Sequence, residues 1–193
     1  MSCLVTLESF RVYSGVTISS EDGRITAVIE GVSDLVSKYI HRDLEFNAFD
    51  EYFDIEDFDV DTIKVRNFPI VSVVGLTDNG NLVDISKYKV YKREGVIVLK
   101  ERTYVSQYYR NHDFFTKGAQ TVSVSYWGGF ELIPDSLQLA VKMASNRLYS
   151  EIGNEDMLSE KIGDYQYTKK TLNPEEFFTS TEKLILNLYK PIT

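Results

Sequence analysis

A single cysteine, Cys3, excludes an internal disulfide and fits a chain made in a reducing cytoplasm. Histidine is nearly as scarce, with only His41 and His112. Cys3 has no base beside it in the sequence to turn it into a nucleophile, so nothing supports a cysteine–histidine pair. The chain lacks a glycine-rich phosphate loop of the G-x-x-x-x-G-K-[ST] kind and lacks the H-E-x-x-H pattern of a zinc protease. It also lacks any run near the roughly 18 to 20 apolar residues that a membrane span needs. Met1 to Glu8 shows no basic region leading into an apolar run, so no secretory signal is expected. Positive charge is short as well: 21 Lys and Arg stand against 29 Asp and Glu, for a net charge of −8. An acidic surface repels phosphate, which excludes tight DNA binding while leaving open a low-friction passage for DNA. These absences point away from an enzyme, a membrane protein and a sequence-reading DNA binder. No catalytic residue, cofactor or metal ligand is expected.

What is present is an ordinary soluble balance, 43% hydrophobic and 26% charged, enough to bury a core. Leu4 to Val16, with Leu4, Leu7, Phe10 and Val12, predicts a short first helix. Ser19 and Ser20 before Glu21 and Asp22 form a helix start with an acidic first turn. Ile25, Val28, Ile29, Val32, Leu35, Val36, Tyr39 and Ile40 then recur at steps of three and four, one apolar face of a helix reaching about His41. Glu30, Ser33, Ser37 and Lys38 are expected on its opposite face.

After His41 the period falls to two. Glu51 to Glu56 sets Phe53 and Ile55 against Asp54 and Glu56, and Thr62 to Arg66 alternates likewise. Phe68–Pro69 interrupts before Ile70 to Val74. Asp78-Asn79-Gly80-Asn81 is a turn. Tyr88–Lys92 and Val96–Leu99 predict a hairpin turning near Glu94–Gly95, and Gln120 to Trp127 alternates again. The middle of the chain is therefore expected to be an antiparallel β lobe of about five strands. Pro134 and Asp135 open a helix whose apolar face is Leu137, Ala140, Val141, Ala144, Leu148 and Ile152. Residues 153–172 are polar and aperiodic and read as a linker. Asn173-Pro174-Glu175-Glu176 is a helix start, Thr179 with Glu182 a second one of capping-box type, and Leu184, Ile185, Leu188 and Tyr189 a last apolar stripe. The fold class expected is α+β: a small helical bundle, built from N-terminal and C-terminal helices, with an inserted β lobe. Within one domain, 1–42 holds the N-terminal helices, 43–130 the lobe, 133–152 a core helix, 153–172 the linker and 173–193 a C-terminal docking helix.

Three features invite a functional reading. Asp50, Glu51, Asp54, Glu56, Asp57, Asp59 and Asp61 supply oxygens suited to calcium or magnesium, but carboxylates along a strand diverge rather than wrap an ion, and a solvated face is the better reading. Tyr104, Tyr108, Tyr109, Phe114 and Phe115 lie among Arg110, His112 and Lys117. Such a cluster suits hairpin packing, a subunit interface or base stacking, and the first two stay open together. The stripe at Leu184, Ile185, Leu188 and Tyr189 follows a long polar connection. It either packs on the other helices or docks on another subunit.

In order along the chain, these features resemble the head–tail connector (adaptor, head completion) proteins of long-tailed phages and related gene-transfer particles. Ile63-Lys-Val-Arg-Asn-Phe-Pro-Ile-Val-Ser-Val-Val is similar to that family's strand–proline–valine signature. Val122-Ser-Val-Ser-Tyr-Trp-Gly-Gly-Phe followed by Ile133-Pro-Asp-Ser-Leu-Gln-Leu-Ala is similar to its last strand, paired small residues, proline and helix. Glu160-Lys-Ile-Gly-Asp-Tyr-Gln-Tyr resembles its Gly-Asp-Tyr linker. The stretch Tyr104–Phe115 has no place in that pattern. The resemblance implies a non-enzymatic virion protein of the neck, made in the host bacterial cytoplasm. It implies a cyclic ring of copies, dodecameric on the portal protein, that joins the capsid to the next neck, stopper or tail protein while DNA passes without sequence-specific binding. It implies a portal contact at Leu184, Ile185, Leu188 and Tyr189, while Tyr108, Tyr109, Phe114 and Phe115 are expected partner contacts only on the interface reading of the aromatic cluster. Another neck or tail-completion protein, or a small α+β enzyme or ligand-binding domain, is the alternative.

Overall fold

The computed structural model describes residues 3–100, 114–151, 159–162, 165–168 and 177–191. Among the described residues four helices stand at the two ends of the chain with a β lobe between them, so the fold is α+β as the periodicities predict. Two compact units result, one from Met1–His41 with Ile133–Thr193 and one from Arg42–Leu132.

In the helical unit, α1 (Leu7–Ser14) is shorter than the sequence suggested. The Thr6 side chain accepts from the Ser9 N–H at its start, and Gly15 turns left-handed at its end. Leu4 and Val5 remain buried outside the helix. A one-turn 3₁₀ segment, Ser19–Glu21, leads into α2 (Asp22–Ile40), which ends at His41 in the left-handed region. The buried face of α2 is Ile25, Val28, Ile29, Val32, Val36 and Ile40. Ser33 belongs to that face rather than to the solvent side where the sequence reading set it. Its hydroxyl donates to the Ile29 carbonyl at 2.7 Å and accepts from the Leu4 N–H at 3.2 Å, which satisfies a buried polar group and ties the N-terminal segment down.

α3 (Asp135–Glu151) buries Leu137, Ala140, Val141 and Ala144, and packs against α2. Within the expected linker, β8 (Ser159–Ile162) and β9 (Tyr165–Thr168) pair as a short antiparallel hairpin. The predicted start at Asn173–Glu176 lies outside the described residues. α4 (Ser180–Asn187) is capped as predicted: Thr179 Oγ1 accepts from the Glu182 N–H, and Glu182 returns a carboxylate oxygen to the Thr179 N–H at 2.7 Å. α4 packs on both α3 and α2.

Among the described residues the lobe holds seven strands rather than about five. β1 (Asn47–Ile55), β7 (Gly118–Gly128), β3 (Ile70–Asp78) and β4 (Asn81–Leu82) form one sheet in that spatial order. β2 (Thr62–Lys64), β6 (Val96–Leu99) and β5 (Tyr88–Tyr91) form the other. The long strand β7 is central because its alternating Val122, Val124 and Tyr126 are all buried, while Ser123 and Ser125 point away. The expected turns are present: Asn79 and Gly80 have positive φ between β3 and β4, and Gly95 closes the β5–β6 hairpin. Ile55, Ile63, Leu76, Ile97, Phe115 and Tyr126 meet in one core between the sheets.

Candidate interaction surface

The lobe is closed at its base by a knot of backbone and side-chain bonds. Leu44–Phe46 and Phe130 run side by side: the Phe130 N–H donates to the Leu44 carbonyl at 2.8 Å and the Phe46 N–H to the Phe130 carbonyl at 3.2 Å. Gly129 sits at φ 89°, and a Cβ there would come well under 3.0 Å from Glu45 O. A Cβ on Gly128 would be equally close to Asn67 O. The Gly-Gly pair in the chain's most distinctive segment is thus required by close backbone approach. Arg42 donates to the Phe68 carbonyl, and its guanidinium lies 3.6 Å from the centre of the Phe68 ring.

Glu51 is the polar hub of this base. The sequence reading counted it with a solvated acidic face, but its place in the series Phe49, Glu51, Phe53, Ile55 turns it inward. It accepts from the Tyr126 hydroxyl, from the Arg66 N–H at 2.9 Å and from the Asn67 amide at 3.4 Å. The Tyr126 hydroxyl in turn accepts from the Asn67 N–H at 3.1 Å. Burial first, and the Glu51 carboxylate second, push the Tyr126 phenol far above its ordinary pKa. A carboxylate spent on three internal donors is a structural fastener rather than a metal ligand. Among the described residues no three His, Cys, Asp or Glu side chains are grouped to hold a metal.

Of the residues singled out by sequence, Tyr108 and Tyr109 lie outside the described residues. Phe115 is a core residue of the lobe, only 2% exposed, while its neighbour Phe114 is half-exposed. The adjacent pair therefore splits between the interior and the surface.

On α4 the apolar stripe divides as well. Leu184 is 70% exposed and Leu188, at the helix end, 76%. Ile185 is half-buried, and the Tyr189 hydroxyl bonds Ser136 Oγ of α3 at 2.6 Å. The face that seals the unit is Phe178, Glu182 and Leu186, which the stripe did not include. Arg147 of α3, unremarked in the sequence, donates to Glu182 at 2.9 Å and to the Phe177 carbonyl at 2.8 Å. α4 is therefore held to its own bundle by one face while Leu184 and Leu188 project from another.

A further surface was missed. Tyr52, Val74 and Leu82 are well exposed on the outer side of the four-stranded sheet, beside Phe46 stacked on Trp127 at 5.2 Å between ring centres. Strand parity carries the signal for Tyr52 and Trp127, which fall out of phase with the buried residues.

The model of one protein family, head completion protein, matches residues 3–149. No curated protein matches the chain. Chains in several solved structures share its fold, among them three from gene transfer agent particles. A chain of the neck of an empty GTA particle, computed with C6 symmetry, aligns at a TM-score of 0.58 and 12% identity over 100% of this chain and 94% of that one. A chain of the virion of a native gene transfer agent particle aligns at 0.57 and 11% over 98% and 91%. A chain of the neck of the native GTA particle, computed with C12 symmetry, aligns at 0.51 and 11% over 97% and 88%.

Proposed function

We propose, because the chain belongs to the head completion protein family, that it is a structural subunit of a phage-type neck, forming a ring beneath the portal and linking head to tail. Its work is geometric. Copies bury lateral surfaces against one another, the portal supplies the template, and the next neck, stopper or tail protein takes the far side. The fold shared with neck chains of GTA particles computed with C6 and C12 symmetry supports a cyclic assembly, twelve copies being the number that fits both. The net charge of −8 suits a passage through which DNA slides without being gripped.

One observation carries the portal contact: Leu184 and Leu188 project from a helix whose opposite face is already fixed within the subunit. Exposed leucines held on a rigid, prepaid element lose little entropy on docking and offer an apolar anchor. The family match ends at residue 149, so α4 is argued from its own geometry. Tyr189 and Ile185 border the same surface.

The test is a double substitution, Leu184→Asp with Leu188→Asp. Both sites are exposed, so the variant keeps the wild-type circular dichroism spectrum and melting temperature. It is expected to disappear from purified portal-bearing capsids. Wild-type levels of the variant in those particles would remove the docking role, and cryo-microscopy that puts the protein away from the portal vertex would remove the neck assignment.

A further inference from the structure

The two lateral sides of the β lobe can be told apart by topology. β1 is one edge of the four-stranded sheet, and residues 56–61 carry it directly to β2, an edge of the three-stranded sheet. β4 is the opposite edge, and residues 83–87 carry it directly to β5, the other edge of the three-stranded sheet. Further contacts agree: the Arg66 N–H of the β2 side reaches Glu51 of β1, and the Ile70 N–H of β3 reaches the Lys92 carbonyl beside β5.

These sides differ in charge. Residues 43–61 contain nine Asp and Glu and no Lys or Arg. Asp50, Asp54, Glu56, Asp57 and Asp59 of that run are exposed. Lys64 and Arg66 follow it and Lys117 lies over the Phe58 ring, which leaves the side strongly negative. On the other side, residues 83–100 contain Lys87, Lys89, Lys92, Arg93 and Lys100 against Asp84 and Glu94, and all five cations are exposed. The ion pairs Arg11–Asp22, Arg24–Glu21, Lys38–Asp34 and Arg147–Glu182 fall in the helical unit. In the lobe the acidic residues gather mainly on the β1–β2 side and the cations mainly on the β4–β5 side.

We propose that the β1–β2 flank of one copy docks on the β4–β5 flank of the next. A second copy is the occupant because its own surface supplies the complement. Like flanks repel, which opposes a two-fold dimer and selects a head-to-tail contact, the kind that closes rings. Among the described residues no strand pairs the outer edges of β1 and β5, and these edges give the charges fixed positions. A single exposed ion pair contributes little, so the effect is collective, acting on encounter rate and register and weakening as salt shortens the screening length to about 8 Å. The ring closure rests on the role proposed above, but the flank-to-flank contact is tested apart from it.

Two charge-reversed chains are made: Glu56→Lys, Asp57→Lys and Asp59→Lys on one flank, and Lys87→Glu, Lys89→Glu and Arg93→Glu on the other. A third chain carries both sets. Each is offered to portal-bearing capsids that lack this protein, and bound copies are counted by quantitative mass spectrometry. Each single-flank chain is expected to fall about tenfold or more below wild type, and the doubly reversed chain to recover, because complementarity is restored with its sign inverted. Wild-type loading of either single-flank chain, or failure of a normally folded doubly reversed chain to recover, would overturn the contact. Carbodiimide cross-linking of mixed isotope-labelled wild-type copies, concentrated at low salt, gives a reading independent of the portal. Links between copies joining residues 54–61 to Lys87 or Lys89 support the contact, and their absence overturns it. Should wild type fail to load on capsids while those links form, the neck role falls and the flank contact stands.

Discussion

Arg147 on α3 and Glu182 on α4 form an ion pair at 2.9 Å in which the glutamate side chain is only 2% exposed. Glu182 simultaneously caps its own helix through Thr179, and Arg147 also holds the Phe177 carbonyl. One carboxylate thus starts α4 and fastens it to the bundle. A buried pair of this kind matters most when one partner is lost, because the survivor is left uncompensated.

Glu182→Ala removes the cap and strands Arg147, so the helical unit is expected to lose roughly 3 kcal/mol. Urea unfolding followed by circular dichroism measures it. A loss below about 1 kcal/mol would show that the guanidinium finds water or another acceptor at no cost.

Leu186 and Leu184 sit two residues apart on one helix and should respond in opposite ways. Leu186→Ala empties a fully buried site and is expected to cost about 2 to 4 kcal/mol. Leu184→Ala removes an exposed side chain and should change stability by less than about 0.5 kcal/mol. Equal effects from the two would contradict the orientation of α4.

Tyr126 gives the lobe a stability that is lost at high pH. Its phenol titrates above the ordinary tyrosine value near 10, so the folded protein keeps a proton that the unfolded chain releases. Stability from this group is fully present below pH 10 and falls as pH rises past it, by up to about 1.4 kcal/mol per pH unit. Tyr126→Phe should flatten that fall while costing about 1 to 2 kcal/mol at neutral pH, since Glu51 and the Asn67 N–H lose a partner. Denaturation midpoints at pH 7 and at pH 10.5 and above separate the two effects.

Glycine substitutions should split by position. Gly129→Ala forces a side chain onto a positive φ and into Glu45 O, and is expected to cost at least about 3 kcal/mol or to leave the lobe unfolded. Gly31→Ala lies inside α2 with open space around its Cβ and should stabilise by about 0.5 to 1 kcal/mol. Thermal melts of the two variants provide the comparison.

How much could be read beforehand follows from the range of the interactions. α2, α3 and the Thr179–Glu182 cap were legible because periodicity and capping are local, spanning three or four residues. Ser33 and Glu51 were legible in principle: Ser33 follows Ile29 by one turn, and Glu51 shares the parity of Phe49 and Phe53. Each was set aside because its polarity outweighed its position. The Arg147–Glu182 pair spans 35 residues, and partners in the β1–β7 and β3–β7 pairings lie 44 to 81 residues apart (Asp78↔Val122 to Asn47↔Gly128), so no window of sequence displays them. The apolar stripe on α4 misled in part for the same reason. Its buried side is chosen by α2 and α3, which brought Leu186 inward and left Leu184 outside.

The parallel bridge between Glu45 and Phe130 means that residues 42–132 leave and rejoin the rest of the chain at neighbouring points. Such a segment behaves as a removable cassette. A short glycine–serine splice could replace it without stretching the helices it interrupts, and the excised piece could be expressed alone with its ends already together.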